Sequence, residues 1–323
     1  MKVHEPVLLQ EVLEYLKPVP GGQYIDATLN GGGHTLAIAE RIQPNGVVLG
    51  IEWDSSLFQE TELRIKNYEL RKSLILINDS YTNLKSIAEK HDFQPDGILF
   101  DLGLSSWHYE ASGRGFSFKK DEPLDMRYNT ESRSKNQEAR QTAAEIVNLY
   151  SVPELEQILR DYGEEQFARS ISESIGLNRK KRPIMTTDDL VAVINVAVPD
   201  WYKQQSSPSR RRPNGRATGS PTPRRKIHFA TKTFQALRVV VNDELGNVAK
   251  GVRMAIDILK PGGRLVVISF QGHEDKLVRE IFKEQVKAGR IIQPVKGTIR
   301  PTWPEQQANP RSRSAKMKVA EKV

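Results

Sequence analysis

Three short stretches carry residue types that together could bind a nucleoside and react beside it. The first is Asp26-Ala-Thr-Leu-Asn-Gly-Gly-Gly-His34. Glycines there let the backbone approach a ligand closely, and Asn30 tolerates the left-handed angles such a turn needs. A helix opening behind the turn would favour polar or anionic groups at its N-terminus. The second is Glu52, at the end of an apolar run, where a carboxylate can accept hydrogen bonds from two ribose hydroxyls. Alone, the glycine run is as readily a plain turn, and Glu52 or Asp54 is more often a cap on the next helix. Together at one sheet edge they favour a nucleoside-type ligand. The third is Asp101-Leu-Gly-Leu-Ser-Ser-Trp-His108. An aromatic amino nitrogen is a poor nucleophile, and a fixed acceptor for its N–H biases it toward attack. Asp101 is a candidate for that acceptor, and equally for a cofactor ligand or a turn cap. Trp107 could stack on an extruded base or simply pack. His108 could touch cofactor or substrate, or be an ordinary surface histidine.

These stretches need a frame that brings them to one edge. Gln23–Asp26, Gly46–Ile51, Leu74–Asn78 and Gly97–Asp101 read as strands, each continuously apolar and each followed by a helical pattern. The helical patterns cover His34–Arg41, Ser55–Leu70 and Tyr81–Lys90. That alternation predicts a parallel sheet covered on both faces. From Trp107 to about Arg182 the strand signal stops. Helices are expected over Glu138–Asn148, Glu154–Arg160, Glu164–Leu177 and Thr187–Val196. The α/β pattern resumes with a long helical region over Phe234–Leu259, with a break expected near Gly246 or Gly251. A strand over Arg264–Phe270, a helix over His273–Gln285 and a closing strand over Lys316–Ala320 complete the pattern. The expected fold class is α/β, a doubly wound, mostly parallel, Rossmann-like sheet with an inserted helical subdomain. The expected boundaries are 1–106 for the first part of the sheet domain, 107–228 for the insertion and 229–323 for the second part.

Composition narrows the chemistry. The chain has no cysteine, which excludes disulfides, cysteine metal sites and any thiolate nucleophile. Methylation at cytosine carbon 5 runs through such a thiolate, so that reaction is excluded. No metal site is expected. No apolar run approaches a membrane span, and glutamates interrupt the first residues, so a soluble, cytoplasmic protein without a signal peptide is expected. The net charge is +8, and Lys203 to Lys226 holds eight Lys or Arg residues with no acid. One segment therefore carries the whole surplus, which points to a polyanionic partner. It is too polar to bury a core and is expected to lack fixed structure when free. Arg210, Arg211, Arg212, Arg224 and Arg225 are candidate contacts to RNA phosphates; a solvated linker is the equal alternative.

The glycine spacing also separates cofactors. A dinucleotide turn wants a third glycine where this chain has Thr35 or Leu36, and His34 intrudes where a pyrophosphate would lie. S-adenosylmethionine has no phosphates and does not need that glycine. Methyl transfer is an in-line displacement that depends on alignment more than on acid–base strength. The methyl donor is therefore favoured over a nicotinamide cofactor.

Ordered matches along nearly the whole chain point further. They comprise His4-Glu-Pro-Val-Leu-Leu9, the Asp26–His34 turn, Asp101-Leu-Gly-Leu-Ser-Ser106 and Gly113-Arg-Gly-Phe-Ser-Phe118. They continue through Pro123-Leu-Asp-Met-Arg127, Tyr162-Gly-Glu-Glu165, Thr231-Lys-Thr-Phe-Gln-Ala-Leu-Arg238 and Asn242-Asp-Glu-Leu245. Pro261-Gly-Gly-Arg-Leu265, Ile268-Ser-Phe270 and Asn309-Pro-Arg-Ser-Arg-Ser314 complete them. In these motifs the chain resembles the bacterial small-subunit ribosomal RNA cytosine-N(4) methyltransferases (the RsmH or MraW family). The resemblance implies a class I S-adenosylmethionine-dependent methyltransferase domain with a helical insert. It implies 16S rRNA in the small ribosomal subunit as partner, with the amino group of a decoding-centre cytidine as target. It carries cofactor contacts onto Gly32, Gly33, His34, Glu52, Tyr81, Asp101 and His108. Asn30 departs from the family's usual glycine, and Glu52 from its more common Asp. Gln271-Gly-His273 stands for a usual His-Ser-Leu, Phe229 for a usual proline, and the basic stretch is longer than usual. A ribosome-assembly RNA binder without catalysis is the alternative reading; the intact turn, Glu52 and Asp101 argue against it.

Overall fold

The computed structural model describes residues 6–66, 68–130, 140–204 and 228–323. In chain order the first elements are α1 (Leu9–Leu16), β1 (Gln23–Asp26), α2 (Gly33–Arg41), β2 (Val47–Glu52) and α3 (Ser55–Ile65). Next come β3 (Leu74–Asn78), α4 (Leu84–Lys90), β4 (Gly97–Asp101) and the short α5 (Ser106–Glu110). The helices α6 (Ala143–Leu149), α7 (Val152–Gly163), α8 (Ala168–Asn178), α9 (Thr187–Ala197), α10 (Asp200–Gln204) and α11 (Thr231–Asn242) succeed them. The chain closes with α12 (Glu244–Ile258), β5 (Arg264–Ser269), α13 (Gly272–Lys287), β6 (Ile291–Ile292), α14 (Trp303–Ala308) and β7 (Lys316–Lys322).

These elements form two compact units. The first comprises Met1–Trp107, Tyr128–Arg133 and Glu244–Val323; the second comprises His108–Arg127 and Ser134–Asp243. The first unit is built on a seven-stranded sheet of order β3-β2-β1-β4-β5-β7-β6. Strands β1 to β5 run parallel, and β7 pairs antiparallel with both β5 and β6. Side chains alternate across the sheet. Ile25, Leu49, Ile51, Ile98, Phe100 and Val267 enter one apolar layer with Leu84 and Ile87 of α4, Val248 and Val252 of α12, and Val278 and Phe282 of α13. Tyr24, Val48, Leu99, Val266 and Ile268 enter the opposite layer with Val12 of α1, Ile38 of α2 and Ile65 of α3. Both faces are buried, which is why the strands read as unbroken apolar runs. The strand order reverses between β1 and β4, and the crevice at that switch point opens at the carboxyl edge of the sheet.

Several elements differ from the sequence reading. The helix predicted over Ser55–Leu70 stops at Ile65, and a 3-10 turn covers Glu69–Ser73. Its buried positions are Leu57, Thr61 and Ile65. The next in that series is Glu69, whose charge cannot enter the core. The break in the long region over Phe234–Leu259 falls at Asp243, which takes a left-handed φ of 48°. Gly246 and Gly251 lie within α12. Asp reaches the left-handed region more readily than most residues, and a Cβ on Gly251 would stand 2.6 Å from the Tyr81 ring. That glycine provides room for a ring rather than a hinge. Helix α11, placed by the sequence boundary at 229 with the resumed sheet domain, clusters with the second unit, where it packs on α6 and α7.

The second unit is helical. Thr142, Ser151 and Thr186 cap α6, α7 and α9 by accepting the N–H of Glu145, Glu154 and Asp189, whose carboxylates bond back in capping boxes. Helix α7 buries Leu155, Ile158 and Leu159 along one stripe, packed against α8 and α11. Among the described residues no helix is long and apolar enough to cross a membrane.

Candidate active site

Three loops of the first unit converge at the carboxyl edge of the sheet, and Asn30 joins them. Its backbone N–H donates to Glu52 Oε2 at 2.9 Å, and its side-chain amide donates to the Asp101 carbonyl at 3.4 Å. Thr61 Oγ1 donates to the Asn30 carbonyl at 2.7 Å. The residue sits at a φ of 46°, in the left-handed region. Asn30 thus bonds both to the end of β2 and to the end of β4.

The turn itself is tight. Gly32 N–H donates to the Leu29 carbonyl at 2.6 Å, and Gly32 has a φ of 72°. A Cβ there would lie 2.8 Å from Ile65 Cδ1, so both conformation and packing require glycine. Helix α2 starts at Gly33 with no side-chain cap. Its first-turn N–H groups have no intrahelical acceptor and are available to a ligand's polar atoms.

Asp26 ends β1 and is buried. It accepts Thr35 Oγ1 at 2.7 Å and Thr28 N–H at 3.1 Å. Thr28 Oγ1 in turn accepts the Asp101 N–H at 2.6 Å, which ties the first loop to the end of β4. Burial pushes the Asp26 carboxyl up to about 6 against those hydrogen bonds. Asp101 is also buried, and its Oδ1 has no hydrogen-bond partner. Burial raises its carboxyl well above the usual range, and the nearby Asp26 and Glu274 carboxylates raise it further. Glu274 accepts the N–H groups of Phe270 and Gln271 at the start of α13, at 2.9 and 3.1 Å.

Glu52 closes the site on the β2 side. Oε1 accepts the Asp54 N–H at 2.9 Å, while Oε2 takes Asn30. Burial pushes Glu52 up to about 8, with those backbone donors opposing. Asp54 caps α3 by accepting the Ser56 and Leu57 N–H groups. The cap on α3 is therefore Asp54 and not Glu52. Tyr81 lies on the 3-10 turn after β3, its ring edge-on to Phe100 at 5.4 Å.

His34 has a different task from the one its position suggests. Its Nε2 lies 3.0 Å from the Val7 carbonyl, and its Nδ1 lies 3.7 Å from Asp101 Oδ2. Facing a carbonyl, Nε2 must carry the proton. Burial lowers the ring's pKa to about 4, so the imidazole is neutral. The ring anchors the N-terminal segment, and what His34 offers a ligand is its backbone N–H.

The structure thus brings Gly32, Gly33, His34, Glu52, Tyr81 and Asp101 into one unit. His108 belongs to the second unit, where its buried ring meets Phe116 edge-on at 5.3 Å. Arg210, Arg211, Arg212, Arg224 and Arg225 lie outside the described residues. Sequence reasoning placed Asn30 in a left-handed turn, as its φ of 46° shows, but missed its bonds to Glu52 and Asp101 and the roles of Thr28 and Glu274. The spacing Gln271-x-x-Glu274 is a capping signal that marks Glu274, whereas nothing local signals that Thr28 reaches Asp101. Among the described residues no group of three or more His, Asp or Glu side chains is arranged to hold a metal.

The whole chain, residues 1–323, matches the MraW methylase family. The chain belongs to that family. Among its relatives, ribosomal RNA small subunit methyltransferase H of Fervidobacterium nodosum is 43% identical over 99% of this chain and 97% of that protein. The enzyme of the same name from Halothermothrix orenii is 39% identical over 100% of this chain and 99% of its own length. That from Thermosipho melanesiensis is 40% identical over 99% and 98%. The cofactor of this methylase is S-adenosylmethionine. The donor's charge suits the residues present: a sulfonium and an ammonium are cations, and buried Asp26, Asp101 and Glu274 carboxyls stand at this edge with Asp101 Oδ1 unbonded.

Proposed function

We propose that this methylase acts in the cytoplasm on 16S rRNA of the small ribosomal subunit, at the exocyclic N4 amino group of a decoding-centre cytidine. The names of its full-length relatives support an rRNA substrate. The chain's lack of cysteine supports an amino target over carbon 5. The observation that carries the chemistry is Asp101, a buried carboxyl with an unbonded oxygen at the end of the central strand β4.

In this reading Glu52 accepts the two ribose hydroxyls, and the first-turn N–H groups of Gly33 and His34 face the donor's polar end. Gly32 keeps the loop close enough for contact, and Tyr81 flanks the nucleoside. The donor supplies an electrophilic methyl group on a sulfonium. Asp101 holds the amino group by accepting one of its N–H bonds, which localises the nitrogen lone pair toward the methyl carbon. Bound there, the donor would yield its methyl carbon to that nitrogen and leave as the neutral sulfide. The proton leaves the nitrogen along the hydrogen bond to Asp101 and passes to solvent.

The test incubates small subunits from a strain lacking this activity with labelled donor and maps the modified nucleotide by mass spectrometry. A single labelled cytidine bearing the methyl on N4 is expected. Label on ribose or on carbon 5 overturns the assignment. No transfer by a protein that still binds the subunit indicates the non-catalytic assembly factor instead.

A further inference from the structure

We propose that an aromatic cluster in the second unit, Phe167, Trp201 and Tyr202, is a stacking platform for an unpaired base of the RNA substrate. This rests on the rRNA reading above and adds a specific contact to it. Trp201 is 52% exposed, an unusual placement for the largest side chain. It is nonetheless held. Its ring meets Phe167 edge-on at 5.7 Å and Tyr202 at 5.9 Å, and Phe167 meets Tyr202 at 4.9 Å. Tyr202 is fixed from behind, its hydroxyl 3.2 and 3.1 Å from the two oxygens of Glu165. Glu165 is buried, and the same carboxylate accepts the Phe167 N–H at 3.0 Å. Glu165 therefore holds Phe167 and Tyr202, and Trp201 packs edge-on against both while half open to solvent. A pre-ordered, exposed indole is suited to stacking, because little freedom remains to be lost when a base covers it.

Charge identifies the occupant. Within three residues of Trp201 the chain enters a run whose sequence, Lys203 to Lys226, has eight basic residues and no acid. On the platform's own border, Lys232 at the start of α11 donates to the Glu164 carbonyl at 2.7 Å, beside Glu165. Lys203 itself pairs with Asp200 at 3.0 Å, so the surplus lies in the sequence that follows it. An exposed aromatic followed in the chain by a basic run is the composition of single-stranded nucleic-acid sites, where rings take the bases and cations take the phosphates. The point where the basic run ends is aromatic too. His228 stacks on Phe118 at 4.4 Å, with exposed Lys119 next in sequence.

The test measures the full-length, donor-loaded protein with a short unstructured oligoribonucleotide, by fluorescence anisotropy, and with small subunits, by steady-state methylation. Trp201→Leu and Trp201→Phe are compared with wild type. Stacking of one base predicts that Trp201→Leu weakens oligoribonucleotide binding by roughly fivefold to a hundredfold. It raises KM for the subunit comparably, with kcat, donor affinity and melting temperature unchanged. Trp201→Phe, which keeps a ring, retains most of the affinity. Unchanged binding in Trp201→Leu overturns the proposal. So does a raised KM for subunits with unchanged affinity for the oligoribonucleotide, which would place a ribosomal protein on this face. Because oligoribonucleotide binding is read without methylation, failure here is distinguishable from failure of the N4 assignment.

Discussion

Burial, with the neighbouring Asp26 and Glu274 carboxyls, holds the Asp101 carboxyl well above the usual carboxylate range in the donor-free protein. A sulfonium placed beside it acts in the opposite direction. The bound state then holds fewer protons than the free state, so donor affinity rises with pH until the free protein's Asp101 ionises. Titrations of S-adenosylmethionine in two buffers of different ionisation enthalpy should show proton release. The demethylated product, a neutral sulfide, should show much less at the same pH. Equal proton release for both ligands would remove Asp101 from the neighbourhood of the sulfonium. At this scale the sequence was partly legible. The types and order of Gly32, Glu52 and Asp101 indicate a nucleoside site. That the His34 ring anchors Val7 was not legible, because its partner is a backbone carbonyl distant in sequence. Asn30, a departure from the family's glycine, proves to bond both to the end of β2 and to the end of β4.

At the scale of elements, periodicity and apolar runs located nearly every strand, since strands buried on both faces leave a strong signal. Strands β1, β3 and β4 have the predicted limits. The two-residue β6 left no such signal, being too short to show a pattern. The turn between α11 and α12 was misplaced because glycine is the usual sign of a left-handed residue, and here an aspartate takes that role. Asp243→Gly should therefore be neutral or slightly stabilising. Asp243→Val should destabilise by about 1–2 kcal/mol, since a β-branched residue resists this conformation. Thermal unfolding of the two variants checks this, and equal melting temperatures would contradict the cause assigned to the break.

At the scale of the whole molecule, the charge surplus lies in one run, Lys203 to Lys226, with the remainder neutral on balance, and the proposed contact of that run with RNA is open to a direct test. Removing residues 206–223 deletes Arg210, Arg211, Arg212 and Arg216 from a chain of net charge +8. If each neutralises one phosphate, the slope of log affinity against log salt should flatten by about 0.7 per arginine. Affinity for small subunits measured across a salt series reads this directly, and an unchanged slope would make the run a linker. The insertion was visible in sequence as a loss of strand signal. Its end at Asp243 was not, because α11 is as helical as α12, and only its packing on α6 and α7 assigns it. The account depends above all on the loops after β1, β2 and β4 forming one donor site. Calorimetric titration of S-adenosylmethionine into the intact chain tests that most directly, with Glu52→Ala as comparison. Saturable binding by wild type and a roughly tenfold to hundredfold weaker variant are predicted. A wild-type chain that takes up no donor, or a variant that binds as tightly as wild type, would contradict it.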